Sequence, residues 1–246
     1  MNLKGNRIRA LKGFIYNDLI DSKKLYIIAA AIIFGNVVLS AVINAIMSGT
    51  SIESSNGGGA IATGFFTAVI CMTISGIVMA GAKKRREVFA FPMDRLTYTA
   101  GTLITFYINT VIVVLITSFA YLFEVLFYKL MSVINENIIY VNIVTLGAFL
   151  EGLIMSVLYL VLISTIAYFI SILIVKFKAV AIITLGIIVG LLIILGFGVM
   201  GPVLKDTIMF LIGEQSPLLL SLKITLLTVL FQYLSYLTIG RLEVNS

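Results

Sequence analysis

The sequence is dominated by apolar runs of about twenty residues or more, and runs of that length restrict what such a chain can build. Six stand out, at residues 25–47, 60–82, 99–127, 143–175, 179–200 and 218–239. In a bilayer no water reaches the backbone. Each run must therefore satisfy its own N–H and C=O groups, and a helix does this within one segment. Composition agrees: of 246 residues, 61% are hydrophobic and 11% charged, at a mean hydropathy of +1.15. A soluble domain is about one quarter charged. The expected fold is an all-α integral membrane protein with six transmembrane helices. The first run lies too far from Met1 and is too long for a signal peptide, and no small-residue cleavage site comes after it.

Charge sets the orientation. Basic residues gather on the cytoplasmic side of membrane helices. Fourteen of the seventeen fall in segments that this rule places inside: six before the first run, five in 83–95, then Lys176, Lys178 and Arg241. Only Lys129, Lys205 and Lys223 fall outside. Both termini are expected in the cytoplasm of a multi-pass protein of the cell membrane. The formal charge of +6 is then a matter of topology, and nucleic acid need not be invoked as a partner.

Residues 3–21 place Ile8, Leu11, Phe14, Ile15 and Leu19 on one helical face, with Lys4, Arg7, Arg9 and Lys12 elsewhere. This suits an amphipathic helix lying in the membrane plane over 1–22, distinct from a six-span domain over 23–246; the plainer alternative is a soluble tail. Asp21 and Ser22 are expected to cap the helix of the first run. In that run Asn36, Ser40 and Asn44 recur every fourth residue and need partners or a wet cavity. In the second, Thr63, Thr67, Cys71 and Ser75 form a stripe of small, weakly polar groups. It suits close helix packing, with lining of a pathway or a dimer seam as the alternative. Asn109 and Thr110 lie near the centre of the third run, and Glu124 near its outer end, within reach of water. Glu151 lies about nine residues into the fourth run, where a carboxylate costs about 2–3 kcal/mol on insertion scales. It either joins a functional pathway or snorkels outward, and Gly147 and Gly152 allow a break there. Gly186 and Gly190 form a GxxxG pair in the fifth run. Without Trp, the interfacial aromatics are expected to be Tyr26, Tyr98, Tyr128 and Tyr140.

Much chemistry is absent. The chain has no His and one Cys, so His-based acid–base catalysis, His metal sites and an intrachain disulfide are excluded. It contains no G-x-x-x-x-G-K-[ST], H-E-x-x-H or G-x-S-x-G. Asp18, Asp21, Asp94 and Asp206 all fall outside the runs, which argues against the paired acids of an intramembrane aspartyl protease. No catalytic residue, metal or cofactor is expected in the chain, which reads as a conduit or scaffold.

One loop is unusual. Residues 83–98 read KKRREVFAFPMDRLTY between the second and third runs. Basic residues open the segment, and Phe89, Phe91 and Met93 then sit beside charges, with Pro92 interrupting the backbone. Such a segment is either a contact for another protein or a topological marker whose aromatics rest on the lipid interface.

The order of features resembles the permease subunits of ABC-2-type exporters, in the small bacterial six-span form similar to exporters of peptides such as phenol-soluble modulins. Those permeases often carry, after the second span, a charged stretch, a Glu, an aromatic, then Leu/Phe-Pro-hydrophobic-Ser-Arg. Glu87, Phe89, Phe91, Pro92, Met93 and Arg95 match, and Asp94 stands where Ser is common. The terminal Ser235-Tyr236-Leu237 with Arg241 is also similar. The resemblance implies that Arg86, Glu87, Phe89, Phe91, Pro92, Met93, Asp94 and Arg95 form a cytoplasmic coupling helix docked on a separate ABC ATPase subunit, which carries ATP and Mg. It implies an elbow helix at the N-terminus and a second permease subunit, identical or not. It also implies export of an amphipathic or hydrophobic peptide, toxin or drug. Asn36, Ser40, Asn44, Thr63, Thr67, Ser75 and Glu151 are the candidates for the pathway or the dimer seam. The rival readings are a membrane anchor or immunity scaffold without translocation, and a proton-coupled carrier using Glu151.

Overall fold

The computed structural model describes residues 3–47, 59–81, 95–134, 146–177 and 216–239, and all five segments are helical. We number them α1 (Leu3–Met47), α2 (Gly59–Ala80), α3 (Arg95–Ile134), α4 (Leu146–Phe177) and α5 (Pro217–Ile239). Among the described residues four stretches are long and apolar enough to cross a membrane: Ile8–Leu39, Leu96–Phe127, Phe149–Phe177 and Pro217–Ile239. In α2 the apolar stretch Gly64–Ala80 is shorter. The fifth expected run, with its GxxxG pair, lies outside the described residues.

Local chemistry explains the boundaries. Ser216 and Pro217 open α5. Pro217 has no N–H to leave unsatisfied in the first turn, and the Ser216 carbonyl accepts from Leu220 N–H at 3.0 Å. At the end of α2 the Gly81 N–H reaches the Val78 carbonyl at 3.0 Å, a tightened last turn that glycine permits. No proline lies in the interior of a described helix. Buried hydroxyls mostly turn back on their own helix. Thr102, Thr165, Thr228 and Ser235 donate to the carbonyls four residues earlier, at 2.8–3.0 Å.

Two expectations change here. Helix α1 runs unbroken through Asp21 and Ser22, so these residues cap nothing. No glycine or proline interrupts residues 14–34, and polar groups of that stretch find partners across on α3. Glu124 does not stand near a helix end in reach of water. It is 3% exposed, because α3 continues to Ile134. Helix α4 likewise passes through Gly152 without a break.

The described helices contribute to two compact units. The first comprises Met1–Ile15, Thr73–Ile104 and Val161–Ser246, and the second Tyr16–Met72 and Thr105–Leu160. In the first, α2 crosses α4 at Gly76. A Cβ built there would lie 2.5 Å from the Ser164 carbonyl oxygen and 3.0 Å from Tyr168 N. Phe169 of α4 meets Phe231 of α5 with ring centroids 5.7 Å apart. In the second unit α2 and α3 are antiparallel. Gly64 sits directly against the Thr117 side chain, and Thr110 Oγ1 donates to Met72 Sδ at 3.7 Å. Helices α1 and α3 run parallel there, linked by Tyr26 with Asn109 and Phe34 with Phe123.

The Gly76 crossing has a direct test. Gly76→Ala pushes a methyl group into α4 backbone, which cannot give way, and is expected to cost about 1–3 kcal/mol. Gly35→Ala meets nothing within 4 Å and is expected to be neutral or to stabilise by up to ~1 kcal/mol. Thermal unfolding of the two variants in detergent compares them.

Candidate functional site

Two constellations concentrate the polar and close-packed contacts, one in each unit. The first is built at the ends of α2 and α3 that flank residues 82–94. Tyr98, in the first turn of α3, is 6% exposed and donates its O–H to the Met79 carbonyl of α2 at 3.3 Å. Its ring meets Phe14 of α1 edge-on, with centroids 5.6 Å apart. One turn on, Gly101 lets α1 approach: a Cβ there would lie 3.0 Å from Leu11 and 3.1 Å from Phe14. Gln232 of α5 donates its amide Nε2 to the Thr99 carbonyl at 2.8 Å. Four helices are thus joined at the two ends that flank the charged segment. Tyr98 is buried here and bolts α3 to α2 and α1.

Of the residues matched to a coupling helix, Arg86, Glu87, Phe89, Phe91, Pro92, Met93 and Asp94 lie outside the described residues. Arg95 opens α3, and its side chain is also outside them.

The second constellation joins α1 to α3. Asp18 is 4% exposed and Asn109 1%. Tyr26 donates its O–H to Asn109 Oδ1 at 2.5 Å, and Asn109 Nδ2 donates to Asp18 Oδ2 at 3.5 Å. The tyrosine bond fixes which way the amide points, so its nitrogen turns to the carboxylate. The α1 members share one face because Asp18, Ser22 and Tyr26 recur every fourth residue. The same α3 face carries Thr105 one turn before Asn109. Thr105 is fully buried and its hydroxyl oxygen has no hydrogen-bond partner.

The remaining candidates are dispersed. Thr67 and Ser75 are buried on α2, 7% and 8% exposed, as is Cys71, so this stripe packs against protein. The side chains of Thr63, Ser40 and Asn44 lie outside the described set, and Asn36 is half-buried on α1. Glu151 is exposed in the second turn of α4. Among the described residues no group of three or more His, Cys, Asp or Glu is placed to hold a metal ion.

Asp18 and Thr105 are not among the candidates that the sequence offers, and Tyr26 figures there only as an interfacial aromatic. The signal is present all the same. A carboxylate, hydroxyl and phenol at every-fourth spacing point one polar face at whatever packs there, and an amide in mid-run needs a partner. The chain matches no family model, no curated protein and no solved structure.

Tyr26→Phe removes the hydrogen bond that Asn109 Oδ1 accepts and is expected to lower stability by about 1–2 kcal/mol. Tyr16→Phe, at a position 65% exposed, is expected to change it little. Thermal unfolding in the same detergent decides between a structural bond and an idle contact.

Proposed function

We propose that the chain is the permease subunit of an ATP-driven exporter of the ABC-2 type, working as a pair of permeases in the cell membrane with a separate ATPase. The observation that carries this reading is the segment 83–95, in which a basic run leads into Glu87, Phe89, Phe91-Pro92-Met93 and Arg95. It lies in a chain that has no nucleotide-binding motif of its own. A conduit without an energy source must borrow one through a contact, and this loop has the charge and the apolar hook to make it.

The helix ends on either side of the loop support the reading. A push on the loop is useful only if α2 and α3 move as a body. The Tyr98 bond to Met79, the Phe14–Tyr98 ring contact and the Gln232 bond to Thr99 tie those ends to each other and to α1 and α5. In this reading Phe89, Phe91 and Met93 sit in a groove of the ATPase, with its ATP and Mg, and closure of that subunit tilts the helix pair. Glu151, exposed on α4, and the half-buried Asn36 are assigned to a seam with the second permease. Asn44, Ser40 and Thr63 belong to the same candidate seam. Exposed apolar side chains such as Phe66, Ile70 and Leu122 face outward as lipid-facing residues do, and a cleft open to lipid suits amphipathic or hydrophobic substrates. Both termini are cytoplasmic in this arrangement.

Affinity purification from the native membrane tests it. The wild-type chain is expected to carry an ATP-binding subunit at matched stoichiometry. Phe91→Asp is expected to lose that subunit and to reduce ATP-dependent export at least tenfold, while the chain still accumulates in the membrane. Undiminished copurification and export in Phe91→Asp would overturn the docking role.

A further inference from the structure

Most buried hydroxyls in the described helices are answered by their own helix, and that of Thr105 is not. On α3, Thr102 donates to the Tyr98 carbonyl and Thr110 to Met72 Sδ, while the fully buried Thr105 oxygen has no partner. A polar atom buried without a partner marks a place where something polar is missing. Thr105 stands on the α3 face that presents Asn109 to Asp18. The parallel register of α1 and α3, set by Phe34 against Phe123, puts Asp18 at a height between Thr105 and Asn109. The Asn109 amide reaches the carboxylate at 3.5 Å, the loose end of hydrogen-bond range.

We propose that Asp18, Thr105 and Asn109, with Ser22 one turn above Asp18, form a binding site between α1 and α3 for a single monovalent cation, Na⁺ or a proton. The donor set is one carboxylate with two neutral hydroxyl oxygens, all hard ligands, while the Asn109 amide turns its nitrogen to the carboxylate and positions it. The set balances one positive charge. A divalent ion gathers six or more oxygens, usually from several carboxylates, and no cluster of three or more acids stands among the described residues. For Na⁺ the ligands are a carboxylate oxygen and the Thr105 and Ser22 hydroxyls. For a proton the new Asp18 O–H donates to the waiting Thr105 oxygen. In either case the Tyr26 bond holds the Asn109 amide in place. Tyr26 is the other titratable group at the site. On the same stretch of α1, Asp21, Lys23 and Lys24 are exposed, and Tyr107 of α3 is half-buried. The site lies apart from the coupling segment and does not rest on the exporter reading.

The test uses the full-length chain in detergent and exploits Cys71, which is buried and is the only cysteine. A fluorogenic thiol reagent reports unfolding as Cys71 becomes accessible. Midpoints are measured in NaCl, KCl and choline chloride at constant ionic strength, from pH 5.5 to 8.5. The expected result is a saturable rise of the midpoint with Na⁺ over choline, or a rise on acidification that is the same in all three salts. Asp18→Asn abolishes either response. Thr105→Val raises the half-saturating Na⁺ concentration about tenfold, or lowers the pH midpoint by about one unit, and Thr105→Ser restores it. The first pattern identifies the cation as Na⁺ and the second as a proton. A midpoint indifferent to both overturns the site, and so does a response that Asp18→Asn or, where that variant does not fold, Thr105→Val leaves unchanged.

Discussion

The absence of water around a membrane helix governs most of what is seen here. A polar group in an apolar run has three places to turn: its own helix, a neighbouring helix or a bound guest. The hydroxyls of Thr102, Thr165, Thr228 and Ser235 take the first course. Tyr26, Tyr98, Gln232 and Thr110 take the second, and each thereby names the helix that must lie beside it. Such interhelical bonds contribute about 0.6 to 2 kcal/mol each, so they do not dominate stability. Their effect is on register. A slip of one residue along α3 would move the buried Asn109 away from Tyr26 and break their bond.

Close packing carries the rest. Without a hydrophobic drive between helices already in lipid, association depends on how near the backbones come. Gly76 brings α2 onto the Ser164 carbonyl, Gly64 accepts the Thr117 side chain, and Gly101 accepts Leu11 and Phe14. Gly35 and Gly152 face open space and do none of this. Glycine content is therefore a poor guide by itself. What separates the two sets is whether the glycine falls on a helix face that another helix must cross.

These distinctions explain which parts of the molecule can be read from its residues. Helices α2 and α5 fall close to their expected ends, because a basic cluster follows the first and Ser216-Pro217 opens the second. The Thr67, Cys71 and Ser75 stripe is buried as packing requires. Helix α1 is less legible. Of its expected apolar face Phe14 is buried and Ile8 exposed, and Asp21 and Ser22 resemble a cap where no break exists. Capping residues signal a helix start only where the backbone lacks a better use for them. The Asp18, Tyr26 and Asn109 triad requires knowing that α1 lies against α3, and no local pattern carries that. The matches in 83–95 are legible as chemistry alone, and residues 83–94 lie outside the described residues.

Three of the acids in the apolar stretches show how side-chain length and position decide between tolerance and design. Glu151 lies five residues from the start of α4 and is exposed, so its two methylenes can carry the carboxylate toward the interface. Glu124 is buried well inside α3, ten residues from its end. Asp18 has a single methylene and cannot snorkel. Its charge must be answered where it stands, and the fold has gathered an amide beside it and a hydroxyl at its height. An acid that could be replaced by leucine without consequence would not need an asparagine buried to 1% exposure, oriented in turn by a tyrosine. The ordered chain from Tyr26 through Asn109 to Asp18 is what a site needs if one charge is to come and go there without the helices losing register.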